Sequence, residues 1–171
     1  MNGIPEKLND YNLYNDAEKL VGVEAECELP SFDAITTKIS GPGILGEVES
    51  PNVGHFGSMK IAINFRTVSP DSGKLFEPRS QMITLRGDQG SYDVSKGVVE
   101  HQKLKVIVRG LPVKFEPGKV KPGESTGTKL ELETYYIKIE CDGNTLVELD
   151  KLNSIFIVNG TDYLADVRDN I

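Results

Sequence analysis

Residues 41–46, Gly-Pro-Gly-Ile-Leu-Gly, match the G-x-G-x-x-G spacing that lets a backbone approach a pyrophosphate. That chemistry needs a strand before the glycines and a helix after them, whose N-terminus meets the phosphates. Here Pro51 and a polar, glycine-bearing run follow, and no βαβ unit surrounds the match. The segment therefore reads as a turn, since Gly tolerates positive φ and Pro pre-sets its own. His55 and His101 are the two histidines, and neither has a Cys or carboxylate at ligand spacing, so no zinc site is expected. Glu24, Glu26 and Glu28 could in principle hold a hard cation. Spaced along a flat strand without further ligands, they read as a polar surface. No strained nucleophile turn accompanies any Ser-His-Asp set. Asn159-Gly160-Thr161 is a formal glycosylation sequon that reads as a turn. The residues thus predict no catalytic site, no cofactor and no metal, and the chain is not expected to be an enzyme.

The elements that would carry these residues are strands. Val21, Val23, Ala25, Cys27 and Leu29 alternate with Glu24, Glu26 and Glu28, so the apolar set should point inward. Met59, Ile61, Ile63 and Phe65 alternate with Lys60, Asn64 and Arg66, and Leu104, Val106 and Val108 with Lys103, Lys105 and Arg109. Leu130 and Leu132 share one parity, Tyr135, Ile137, Ile139 and Cys141 the other, which predicts a bulge or bend near Thr134. Asp142-Gly143 signals a hairpin into 145–149, and 154–158 is a further strand ended by Asn159-Gly160. Residues 161–170 suit either a returning strand or a short helix. The best internal helix spans 69–79, with Ser69 as N-cap and Pro70 at the first position. Residues 116–128 read as a surface loop. The fold class is all-β, a two-sheet sandwich or barrel of one domain over 1–171, with one short helix.

Residues 35–57 do not fit that core. Two short arms, 35–40 and 44–50, fold about Gly41-Pro42-Gly43 and carry few apolar residues: Ile39, Ile44, Leu45 and Val48. A lone ribbon is marginal in water, so this one should lie against something else, and a second copy of the chain is the natural partner.

Charge and composition set the remaining bounds. The chain has 171 residues and a net charge of −7, which disfavours a dedicated nucleic-acid binder. Residues 1–30 carry −5, 103–129 carry +5 and 130–171 carry −6, a distribution suited to a molecule that meets copies of itself. No apolar run approaches the length of a membrane-spanning helix. The opening MNGIPEKLNDYN has neither a basic nor an apolar leader region, so cytoplasmic synthesis is expected, with Cys27 and Cys141 as buried free thiols.

Four stretches stand out together: IPEKLNDYNLYNDAEKLVGVEAECELPSF at the start, SGPGILGEVESPNVGHFGSMKIAINFRT, TLRG at 84–87, and the ending LDKLNSIFIVNGTDYLADVR. Together they resemble the major tail tube proteins of contractile-tailed bacteriophages and of the related R-type bacteriocins. The resemblance runs through almost the whole chain in matching order. It implies hexameric rings that stack into a hollow tube inside a sheath, with the inner sheets of neighbouring protomers joined edge to edge.

On this chain the resemblance makes 35–57 an extended hairpin against adjacent protomers, with Ile39, Ile44, Leu45, Val48, His55 and Phe56 as contacts. Segments 4–14 and 163–171 would also touch neighbours. The lumen candidates are three alternative rows: Glu24, Glu26 and Glu28; Lys60, Asn64 and Arg66; or Glu131 and Glu133. Implied partners are the tail sheath protein, baseplate and tail-terminator proteins, a tape measure protein in the lumen, and DNA in passage without stable binding. The implied location is the virion tail or bacteriocin particle, assembled in the host cytoplasm. The alternative from another class is a soluble β-sandwich binding module, such as a carbohydrate-binding domain. Such modules usually display aromatic platforms, often with Trp, and this chain has no Trp.

Overall fold

A computed structural model describes residues 3–171; Met1 and Asn2, the start of the stretch read for a leader, lie outside the described residues. In chain order the elements are β1 (Gly3–Asn15), β2 (Glu18–Lys19), β3 (Val23–Glu28), β4 (Ala34–Ser40), β5 (Glu47–Phe56), β6 (Lys60–Phe65), α1 (Pro70–Leu75), β7 (Gln81–Asp93), β8 (Val98–Glu116), β9 (Thr128–Cys141), β10 (Asn144–Asp150), β11 (Ile155–Val158), β12 (Thr161–Asp162) and α2 (Ala165–Asn170).

Two long strands build both layers. β9 pairs antiparallel along almost its whole length with residues 104–116 of β8, and changes its other partner midway. Residues 128–133 pair with β6, whereas 136–141 pair with β10. One layer is therefore β3, β6, the first half of β9 and the last residues of β8. The other runs β12-β11-β10-β9-β8-β7-β1-β2. The change falls where the parity of the apolar residues switches: Arg109 faces Tyr136 but Gly110 faces Thr134, leaving Tyr135 as the extra residue of a bulge. The Thr134 amide then donates to Met59 O at 2.7 Å, and the Lys151 amide to Tyr135 O at 3.0 Å.

Burial follows from alternation. Met59, Ile61, Ile63 and Phe65 are all buried and share one cluster with Leu130 and Leu132 of their own layer and Leu13, Ile83, Leu85, Val106, Val108, Ile137 and Leu149 of the other. At roughly 1.5–3 kcal/mol for each such side chain, the cluster orders the two layers without help from the ribbon arms, and of 35–57 only Phe56 at the base packs against it.

Several details differ from the sequence reading. There are two short helices rather than one: residues 161–170 contain both possibilities, the returning strand β12 and then α2. α1 starts as expected, with Ser69 and Ser72 capping each other's backbone, but ends at Leu75. Val21 is 71% exposed and Leu29 40%, not inward. Both lie outside β3. Within it Val23 faces Phe65 and Cys27 faces Ile63, so two extra residues sit between the pairs, and Ala25 among them is exposed as well. Cys27 and Cys141 are free but only half-buried. The second arm of the ribbon begins at Glu47, with Ile44 and Leu45 in the turn.

Candidate functional site

β4 and β5 pair only with each other, from Thr36–Pro51 to Ser40–Glu47, and form a separate two-stranded sheet. Ile39 and Val48 face each other across the ribbon and stay 42% and 49% exposed, while Leu45 at the turn is wholly exposed. Ile44 is half-buried and its amide donates to Gly41 O at 3.1 Å. His55 is exposed at the base.

Phe56 differs from these: it is committed to its own chain, with its ring 5.5 Å from Phe32 and 5.3 Å from Phe156 in edge-on contacts. The base is fastened further. The Lys151 ammonium donates to Gly57 O at 2.8 Å, and Leu164 packs on Gly54, where a Cβ would lie 2.6 Å from its Cδ1. Gly54 also has φ +77°, so both its conformation and its neighbour exclude a side chain. The ribbon thus projects from a fixed root with its apolar residues unspent.

The second feature is a pair of open edges. Among the described residues, no strand pairs with the outer edge of β3, and β8 loses its β7 partner after Gly110. Residues 111–116 and β3 therefore flank the same layer with free backbone on opposite sides. The β3 edge is touched only by the Tyr11 hydroxyl, which donates to Ala25 O at 2.9 Å and Glu24 O at 3.2 Å. Strand directions alternate through the four strands, all pairs being antiparallel.

The three rows that sequence reasoning kept apart meet on one face of this layer. Cross-strand partners project to the same side, so Glu28, Ala62, Glu131 and Lys114 form one line, and Lys60 with Glu133 another. Asn64 joins Lys129 and Glu116, and its amide donates to Glu26 O at 3.4 Å. Ion pairs lace the face: Lys114–Glu116 at 2.7 Å and Lys129–Glu131 at 3.4 Å. Through this contact Glu116 raises the affinity of Lys114 for a proton, and Lys114 depresses that of Glu116. The Glu133 carboxylate accepts from Ser58 Oγ at 2.7 Å and from the Met59 amide at 3.2 Å, which ties β9 to the start of β6. Lys114 and Glu116 were missed in sequence because 111–116 lacks strict alternation around its bulge at Val113, and Lys129 because it precedes Leu130, the first apolar residue of its strand.

Nothing in this arrangement resembles a reaction centre. Among the described residues no three His, Cys, Asp or Glu side chains stand together as a metal site, and no helix is long and apolar enough to cross a membrane. Antiparallel layers with open edges and a projecting ribbon define an all-β structural protein of the phage tail tube type. The chain belongs to the family described as phage tail tube protein FII, whose model matches residues 5–171. It is 38% identical over 68 residues to the tail tube protein of Escherichia phage P2, a match covering 40% of either chain. Over 163 residues it is 24% identical to the major tail tube protein of Serratia phage KSP20, covering 95% of this chain and 93% of that one. Its role is accordingly structural, as a component of the virion tail, and the family is not one of enzymes.

Proposed function

We propose that six copies close into a ring by pairing the β3 edge of one protomer with residues 111–116 of the next, and that rings stack into the inner tube of a contractile tail. The observation that carries this reading is the pair of free edges on one four-stranded layer. An even number of alternating strands keeps every junction antiparallel when all protomers point the same way around a cyclic axis. Closure also removes the edges that would otherwise recruit strands at random. About six net hydrogen bonds per junction, at roughly 1 kcal/mol each, give a ring that holds under load.

Twenty-four strands about 4.8 Å apart make a backbone cylinder about 37 Å across, or nearer 47 Å at a tilt of about 40°. Its wall toward the bore would be the mixed-charge face. Cross-strand register puts the acids Glu28, Glu116, Glu131 and Glu133 on it against the bases Lys60, Lys114 and Lys129, a net −1 per protomer. A bore of that sign repels phosphates, so DNA passes without the salt-dependent adhesion of basic surfaces. The outer layer then meets the sheath, and the ribbon spanning 35–57 meets neighbouring protomers. Tape measure protein fills the bore during assembly, and baseplate and tail-terminator proteins close the ends. Negative-stain microscopy of the purified protein tests the reading: rings or open-ended tubes are expected, and monodisperse monomers at high concentration would overturn it.

A further inference from the structure

The ribbon needs a receptacle, and the body offers an apolar pit of about 330 Å³ between β1 and β3, where the two layers are not joined by backbone pairing. Leu8, Tyr11, Cys27, Leu29, Leu85 and Leu104 make most of its walls, and Glu26 is the one charged residue on them. Leu8 and Leu29 remain 43% and 40% exposed at its mouth. Burial in this wall pushes the Cys27 thiol up to about 12, with Glu28 adding to the effect.

We propose that this pit is the seat for the ribbon tip of another copy, with Leu45 as the inserted side chain; the inference rests on the tube reading above. The tip, residues 40–46, carries no charged group, and Leu45 has no contact surface of its own to cover it. An uncharged, apolar tip matches a pit whose walls are apolar apart from Glu26, which an acidic tip would meet unfavourably. The chain cannot fill its own pit. Leu29 at the mouth lies five residues before β4 begins, and β4 then carries the tip seven residues, about 24 Å, out from a root fixed by Phe32, Phe56 and Leu164. Pit and tip are therefore at opposite ends of one rigid lever, and stacking brings the tip of one copy to the pit of another. Other occupants, such as the exposed Val113 of the next edge, would leave Leu45 remote from Cys27.

Cys27 makes the seat directly testable. Tubes of a Leu45→Cys, Cys141→Ser variant are treated with copper–phenanthroline, which oxidises two thiols to a disulfide. A ladder of covalent multimers on a non-reducing gel is expected, and its loss when Cys27→Ser is added. Ile44→Cys serves as a second probe should Leu45→Cys tubes not form. Wild-type tubes with no ladder from either probe, or a ladder that survives Cys27→Ser, would overturn the seat while leaving the tube reading intact. Failure of the wild-type protein to form tubes would overturn that reading instead.

Discussion

A Cβ on Gly110 would stand 2.0 Å from the carbonyl oxygen of Glu133. This contact lies at the bend where β9 leaves β6 for β10, so the approach of two backbones there is what lets one pair of strands serve both layers. Gly→Ala in a strand ordinarily gains stability by reducing the freedom of the unfolded chain. Gly110→Ala should instead cost about 3 kcal/mol, because backbone rather than a flexible side chain must give way. Urea unfolding of the monomer measures it, and a neutral or stabilising change would show that the bend does not depend on this contact.

The bend was legible before the fold was known, since Leu130 and Leu132 cannot share an inward face with Tyr135 and Ile137 unless the strand slips by one residue. The partner change was not legible, because β6 and β10 are chosen by contacts far away in sequence. β1 and β7 were overlooked as strands for a local reason: Asn is frequent in β1 and Asp and Gly in β7, and β1 contains two register shifts against β7. Residues 161–170 could not be decided because a two-residue strand and a six-residue helix follow each other too closely for either period to develop. The ribbon was legible from its turn and its poverty of apolar residues. The convergence of its alternative charged rows on one face was not, since it depends on register alone.

Deleting residues 40–50 should leave a folded monomer by circular dichroism and abolish tube formation. Ile44→Asp should weaken assembly while changing monomer stability by less than about 0.5 kcal/mol, as expected for a surface site. Unfolding upon deletion, or unchanged tubes with Ile44→Asp, would contradict this division of labour.

Reversing one charge on the mixed face should make the bore adhesive. Glu28 is exposed and, among the described residues, holds no hydrogen bond or ion pair, so Glu28→Lys should fold normally while moving the face from −1 to +1 per protomer. Variant tubes are expected to retain duplex DNA at about 50 mM salt and release it by about 200 mM, whereas wild-type tubes should retain none. Equal retention by both would remove this face from the bore.

Acid sensitivity should be localised at the tip of the β7–β8 hairpin. The Ser95 hydroxyl, helped by the Ser95 and Lys96 amides and the Lys96 ammonium, holds the Asp93 carboxyl at about 2 against the opposing effect of burial. A carboxyl depressed on folding stabilises above its unfolded value, near 4, and loses that contribution as pH falls toward 2. Wild-type stability should therefore drop between about pH 4 and 2. Asp93→Asn should be less stable at neutral pH and flatter across that window, which thermal unfolding at several pH values measures. Identical pH profiles would show that Asp93 has no part in it.

The most direct test of the edge-joined ring is a helical reconstruction of assembled tubes by electron cryo-microscopy. The account predicts residues 23–28 of each protomer antiparallel to 111–116 of the next at about 4.8 Å, with Glu28, Lys60 and Glu131 facing the bore. Rings closed through β1 or β12, with those three side chains on the outside, would contradict it.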